Sequence, residues 1–66
     1  MHGTVKWFNK DKGFGFIAPD GGGRDIYVHV SHVETPDSIL VDGQRVDFET
    51  VTGRKGPEAA HVKLLA

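Results

Sequence analysis

The chain has 66 residues, a formal net charge of −1 and no cysteine. A chain of that length buries only about 60% of its unfolded surface, so it has room for one small domain and none for a shielded catalytic pocket; without cysteine, disulfides, thiolate metal sites and cysteine nucleophiles are excluded. No apolar run approaches membrane-spanning length and the first residues show no signal-peptide pattern, so a single cytoplasmic domain over residues 1–66 is expected, non-enzymatic and monomeric, with no membrane, cofactor or small-molecule substrate.

Nine glycines and three prolines cut the sequence into short segments. Thr4–Asn9 is rich in β-branched and aromatic residues, and Gly13–Ala18 holds Phe14, Phe16 and Ile17. Asp25–Val30 alternates strictly with a period of two, as do Gln44–Val51 (Val46, Phe48 and Thr50 on one side) and Ala59–Leu65 (Ala60, Val62 and Leu64 on one side). Lys10–Lys12, Gly21–Gly23, Thr35–Ser38 and Gly53–Pro57 separate these five runs. The longest connection, Ser31 to Gly43, has room for one helical turn at Ser31–Glu34. Five strands with one long connection predict an all-β, five-stranded antiparallel barrel of the OB type, which leaves no exposed sheet edge. An SH3-like barrel is the neighbouring alternative.

Parity along the strands locates a surface. In Asp25–Val30 the aliphatic Ile26, Val28 and Val30 share one face, and Asp25, Tyr27 and His29 share the other. A half-buried strand turns its aliphatics to the core, which sends Tyr27 and His29 outward. Phe14 and Phe16 lie on the face of their run opposite Ile17. Burying the aromatics instead would force Ile17, Ile26 and Val28 out together. For Trp7 and Phe8, parity does not decide which points inward. Exposed aromatics edged by Lys6 and Lys12 suit single-stranded nucleic acid, whose bases stack on aromatic faces for about 1–3 kcal/mol each while lysines follow the phosphates.

Lys12-Gly13-Phe14-Gly15-Phe16-Ile17 follows the basic-Gly-aromatic-Gly-aromatic-aliphatic ribonucleoprotein consensus. An RRM is excluded, because it needs two amphipathic helices and carries its other aromatic motif earlier in the chain. In order and spacing, Gly3–Asn9, Lys12–Ile17, Asp25–His29, Gly43-Gln44-Val46-Phe48 and Gly56–Val62 resemble the bacterial cold-shock domain proteins. The resemblance covers nearly the whole chain. It implies an ATP-independent RNA chaperone that binds single-stranded RNA and DNA with low sequence specificity and, in some members, regulates transcription or translation. Carried over by position, Lys6, Trp7, Lys12, Phe14, Phe16, Tyr27 and His29 contact the strand, Asn9 and Asp25 are polar partners of bases, and Lys55 contacts a phosphate. Three positions depart from the family pattern. Tyr27 replaces the usual Phe, Val30 replaces an aromatic, and Glu34–Val41 has no aromatic. Two lost stacking sites predict weaker binding, biased toward Trp7, Phe14, Phe16, Tyr27 and His29.

Charge is unevenly spread. Residues 1–17 hold three cations and one anion, residues 18–51 two cations and seven anions, and residues 52–66 three cations and one anion, giving +2, −5 and +2. If the two ends meet, a basic surface forms on a slightly acidic protein. Four histidines without cysteine do not make a structural zinc site, and Gly21–Gly23 lacks the Lys-Ser/Thr ending of a phosphate loop. The rival reading is a small barrel that docks a peptide on its aromatics; steep weakening by salt favours the polyanion over the peptide.

Overall fold

In a computed structural model, which describes residues 1–53 and 56–65, five strands follow the five runs in chain order. They are β1 (His2–Asn9), β2 (Phe14–Pro19), β3 (Ile26–His29), β4 (Arg45–Gly53) and β5 (Gly56–Leu64). A single 3-10 turn, Val30–His32, follows β3 and ends its alternation one residue early. The strands close into a barrel in the order β1-β2-β3-β5-β4. Because five is odd, a closed ring cannot alternate strand direction throughout, and one neighbouring pair has to run parallel. That pair is β3 with β5, where Tyr27 faces Glu58 and Val28 faces Ala59. The remaining pairings are antiparallel, so the expected antiparallel barrel holds at every seam but this one.

The inward faces are aliphatic. Val5, Ile17, Val28, Val46 and Val62 are buried around Phe48, and Ile26 and Ala59 join them. From the long connection, Val33 and Leu40 complete the core, and the Glu34 amide donates to the Val62 carbonyl at 2.8 Å, extending the parallel seam.

Two expectations for the last strands are corrected. Thr50 and Val51 are exposed, and β4 continues past Val51 to Gly53, the first residue of the stretch expected to break it. On β5, both Ala59 and Ala60 are buried while Leu64 is 45% exposed. The cause is a bulge. Between Asp47↔Lys63 and Glu49↔Ala60, β5 advances three residues while β4 advances two. His61, in this bulge, adopts a left-handed φ of 51°, and the extra residue shifts the inward set.

Across the short β1–β4 seam, Arg45 reaches from β4 over β1, donating to Thr4 Oγ1 at 2.9 Å and to both Asp20 carboxylate oxygens at 2.5 Å. The hydrogen bonds from Arg45, against a smaller desolvation effect, hold the Asp20 carboxyl below its ordinary value. A carboxyl whose pKa is depressed by folding contributes stability above its unfolded pKa and loses it as pH falls through the folded value. Side-chain carboxyl NMR is expected to find Asp20 titrating below an ordinary aspartate, with Arg45→Ala returning it to the ordinary range. An unshifted Asp20 in the wild type contradicts this pairing.

Candidate nucleic-acid interface

The outward face of β1, β2 and β3 depends on one irregularity. From Val5↔Ile17 to Trp7↔Phe16, β1 advances two residues while β2 advances one. The bulge at Lys6 therefore breaks the parity of β1, so Val5 is buried in the core while Trp7 is 38% exposed on the opposite face. Phe8, the other member of the ambiguous pair, turns toward the core and packs against it. Its Cα partner is Gly15. A Cβ on Gly15 would collide with the Trp7 carbonyl oxygen and stand 2.7 Å from Phe8 Cα, so glycine lets β1 approach β2 this closely.

Register then arranges the face in two rows across three strands. Trp7, Phe16 and Tyr27 form one row, and Asn9, Phe14 and His29 form the other. Four rings meet there. Trp7 lies edge-on to Phe14 at 5.4 Å and tilted against Phe16 at 5.3 Å, Phe14 stacks on Tyr27 at 5.9 Å with planes 24° apart, and Phe16 meets Tyr27 edge-on at 5.9 Å. Each ring braces another, which fixes the platform before any ligand arrives. Phe14, Phe16 and Tyr27 are half-buried and keep an outward surface.

The polar residues have definite partners. Lys6 Nζ donates to Asp25 Oδ2 at 2.9 Å, joining two of the expected site residues in an ion pair beside the aromatics. Asn9 Oδ1 accepts from the Asp11 and Lys12 amides, each at 3.0 Å. It thus shapes the β1–β2 turn, which Gly13 closes at a φ of 75°, and only its Nδ2 group is left for a base. The Ser31 amide donates to His29 Nδ1 at 3.2 Å. In the neutral ring this places the proton on Nε2, at the outer end of the side chain. Lys12 is exposed at the turn before Phe14. Lys55 lies outside the described residues.

Beside Phe16 and Tyr27, a cleft is bordered by Arg24, Asp25 and Pro57. Arg24 and Pro57 were not singled out in the sequence, where Arg24 is one cation in an acidic stretch and Pro57 reads as a breaker. Ser31, which orients His29, was likewise missed.

Residues 1–65 match the family model of the 'Cold-shock' DNA-binding domain. The chain belongs to the cold-shock domain family. It is 54% identical over 63 residues to the cold shock-like protein CspE of Escherichia coli K12, covering 94% of this chain and 91% of that one. It is 50% identical over 66 residues to the cold shock-like protein CspA of Vibrio cholerae, covering 98% and 94%. The cold shock protein ScoF of Streptomyces coelicolor is 51% identical over 61 residues, with 91% of each chain covered. Among solved structures, the Drosophila Unr CSD456 chain superposes with a TM-score of 0.82 at 20% identity, covering 98% of this chain and 26% of that one. That match shows the cold-shock fold without adding to the site.

The face makes Gly15 its most constrained position. Gly15→Ala is expected to lower stability by about 1–3 kcal/mol, the usual cost of forcing an extra carbon into a packed contact, measured by urea unfolding. It should also shift Trp7 emission in the folded state, because the Trp7 carbonyl is what the new methyl displaces. Unchanged stability and emission would contradict the close approach.

Proposed function

We propose that the protein is a monomeric, cytoplasmic, non-enzymatic RNA chaperone that binds single-stranded RNA and DNA on the β1–β2–β3 face. Nucleic-acid binding and the cold-shock character are those of the family. Trp7, Phe14, Phe16 and Tyr27 supply stacking surfaces, His29 adds a ring with an outward N–H, and Lys6, Lys12 and Lys55 meet phosphates. The observation that carries the reading is the inversion of ordinary burial: the barrel is packed with aliphatics, and four of its six aromatic rings stand together on the outside.

Stacking selects for unpaired bases, because a duplex hides base faces that a single strand exposes. Capturing transiently opened strands shifts the pairing equilibrium by mass action, so melting needs no ATP. The net charge of −1 is compatible with a polyanion because several acids are paired on the far side of the ring. Glu34 meets His61 at 2.6 Å and Lys63 at 4.0 Å, Glu49 meets His61 at 3.8 Å, and Asp47 meets the Met1 amino group at 3.4 Å. In the barrel order, β4 and β5 are the two strands not adjacent to β2. Phosphate neutralisation by two or three lysines implies a slope of log affinity against log salt of about −1.4 to −2.1.

Anisotropy with a labelled oligothymidine tests this reading. Phe14→Ala is expected to cost about 1–3 kcal/mol, and Lys12→Ala to reduce the salt slope by about 0.7. Binding to a duplex of matched length should be far weaker; equal binding to duplex and single strand would overturn the stacking mechanism. A second variant tests the missing platform. Val30 is half-buried at the start of the turn after β3, and Val30→Phe is expected to tighten oligothymidine binding by up to one stacking contact. Unchanged affinity would show that the lost aromatic is not what limits binding.

A further inference from the structure

The cleft bordered by Phe16, Arg24, Asp25, Tyr27 and Pro57 encloses about 240 Å³, below the roughly 300–1,000 Å³ of a drug-sized pocket and on the scale of one heterocyclic base. Two rings of the stacking platform form its apolar wall. Its polar rim places a carboxylate and a guanidinium side by side. The carboxylate is held in place, because Lys6 Nζ donates to Asp25 Oδ2 at 2.9 Å. An ionised carboxylate has about four acceptor positions, so a single lysine leaves Asp25 able to accept further donors. Arg24 is exposed and enters none of the ion pairs among the described residues.

Resting on the single-strand reading above, we propose that this cleft is a guanine-preferring subsite in which Asp25 reads the Watson–Crick edge and Arg24 the Hoogsteen edge. The assignment follows from what each base presents. A carboxylate wants two adjacent donors, and a guanidinium fork wants two adjacent acceptors. Guanine offers both, with N1–H and the N2 amino group together on one edge and O6 and N7 together on the next. Cytosine brings one exocyclic amino group, and adenine brings one amino group flanked by ring acceptors. Uracil and thymine flank their single N–H with carbonyls that face the carboxylate unfavourably. A base in a single strand exposes both edges at once, so the two contacts are made together only outside a duplex. The remaining platform stays indifferent to sequence, and the preference falls on one nucleotide of the bound strand.

The test scans one guanine through a labelled hexathymidine and measures affinity by anisotropy at fixed salt. Wild-type protein is expected to bind tighter by roughly five- to tenfold at one register, the lower range of a bidentate base contact. At that register, 7-deazaguanine removes the N7 acceptor and inosine removes the N2 donor, and each should lose most of the gain. Arg24→Ala should become indifferent to 7-deazaguanine while still sensing inosine, and Asp25→Asn should show the opposite pattern. Equal affinity of the wild type for every register, or a uniform loss on all oligonucleotides in Arg24→Ala, would overturn the proposal and make Arg24 a phosphate contact at most. In those cases oligothymidine binding itself survives, which leaves the broader reading standing; absence of binding to any single strand would remove both.

Discussion

The structure depends on one extra residue in β1. With regular pairing, Val5 and Trp7 would lie on the same face, and either Val5 would leave the core or Trp7 would enter it. The bulge at Lys6 separates them, leaving an aliphatic interior and an indole on the surface. The same bulge turns Phe8 to the core opposite Gly15, where no side chain competes for the space. It also puts Lys6 within reach of Asp25 across the neighbouring strand. A bulge costs a ladder position and increases local twist; here it sets which rings face a ligand.

A small barrel gives up stability by leaving large rings outside, because fully burying an aromatic side chain is worth about 1.5–3 kcal/mol. The rings recover part of this by packing on one another at 5.3–5.9 Å, a contact worth about 0.5–1.5 kcal/mol per pair. The result is a rigid platform that needs little ordering on binding, and rigid surfaces lose less of their contact energy to entropy. Electrostatics follows the same division of the barrel, with acids on β4 and in the long connection matched to the Met1 amino group, His61 and Lys63.

Much of this was legible where a strand is regular. Asp25–Val30 has no bulge, and its alternation alone sends Ile26 and Val28 in and Tyr27 and His29 out. The order of Trp7 and Phe8 was not legible, because a bulge is a property of how β1 meets β2 and leaves no periodic mark on β1 itself. His61 shows the same failure on β5, where Leu64 was expected inward and is exposed. The parallel seam was implicit in the number of strands, since an odd ring cannot alternate. The cleft at Arg24 could not be read from the sequence, because its border comes from three segments brought together only when β3 pairs with β5. The role expected of Asn9 is narrowed by its place in the turn, which spacing along the chain does not reveal.

The central claim is that Trp7 faces outward on a stacking surface, and its fluorescence reports this directly. Titration with a short oligothymidine, at low and then at physiological salt, is predicted to give saturable quenching that weakens as salt rises. No change in Trp7 emission at either salt, with the protein folded, would contradict the account.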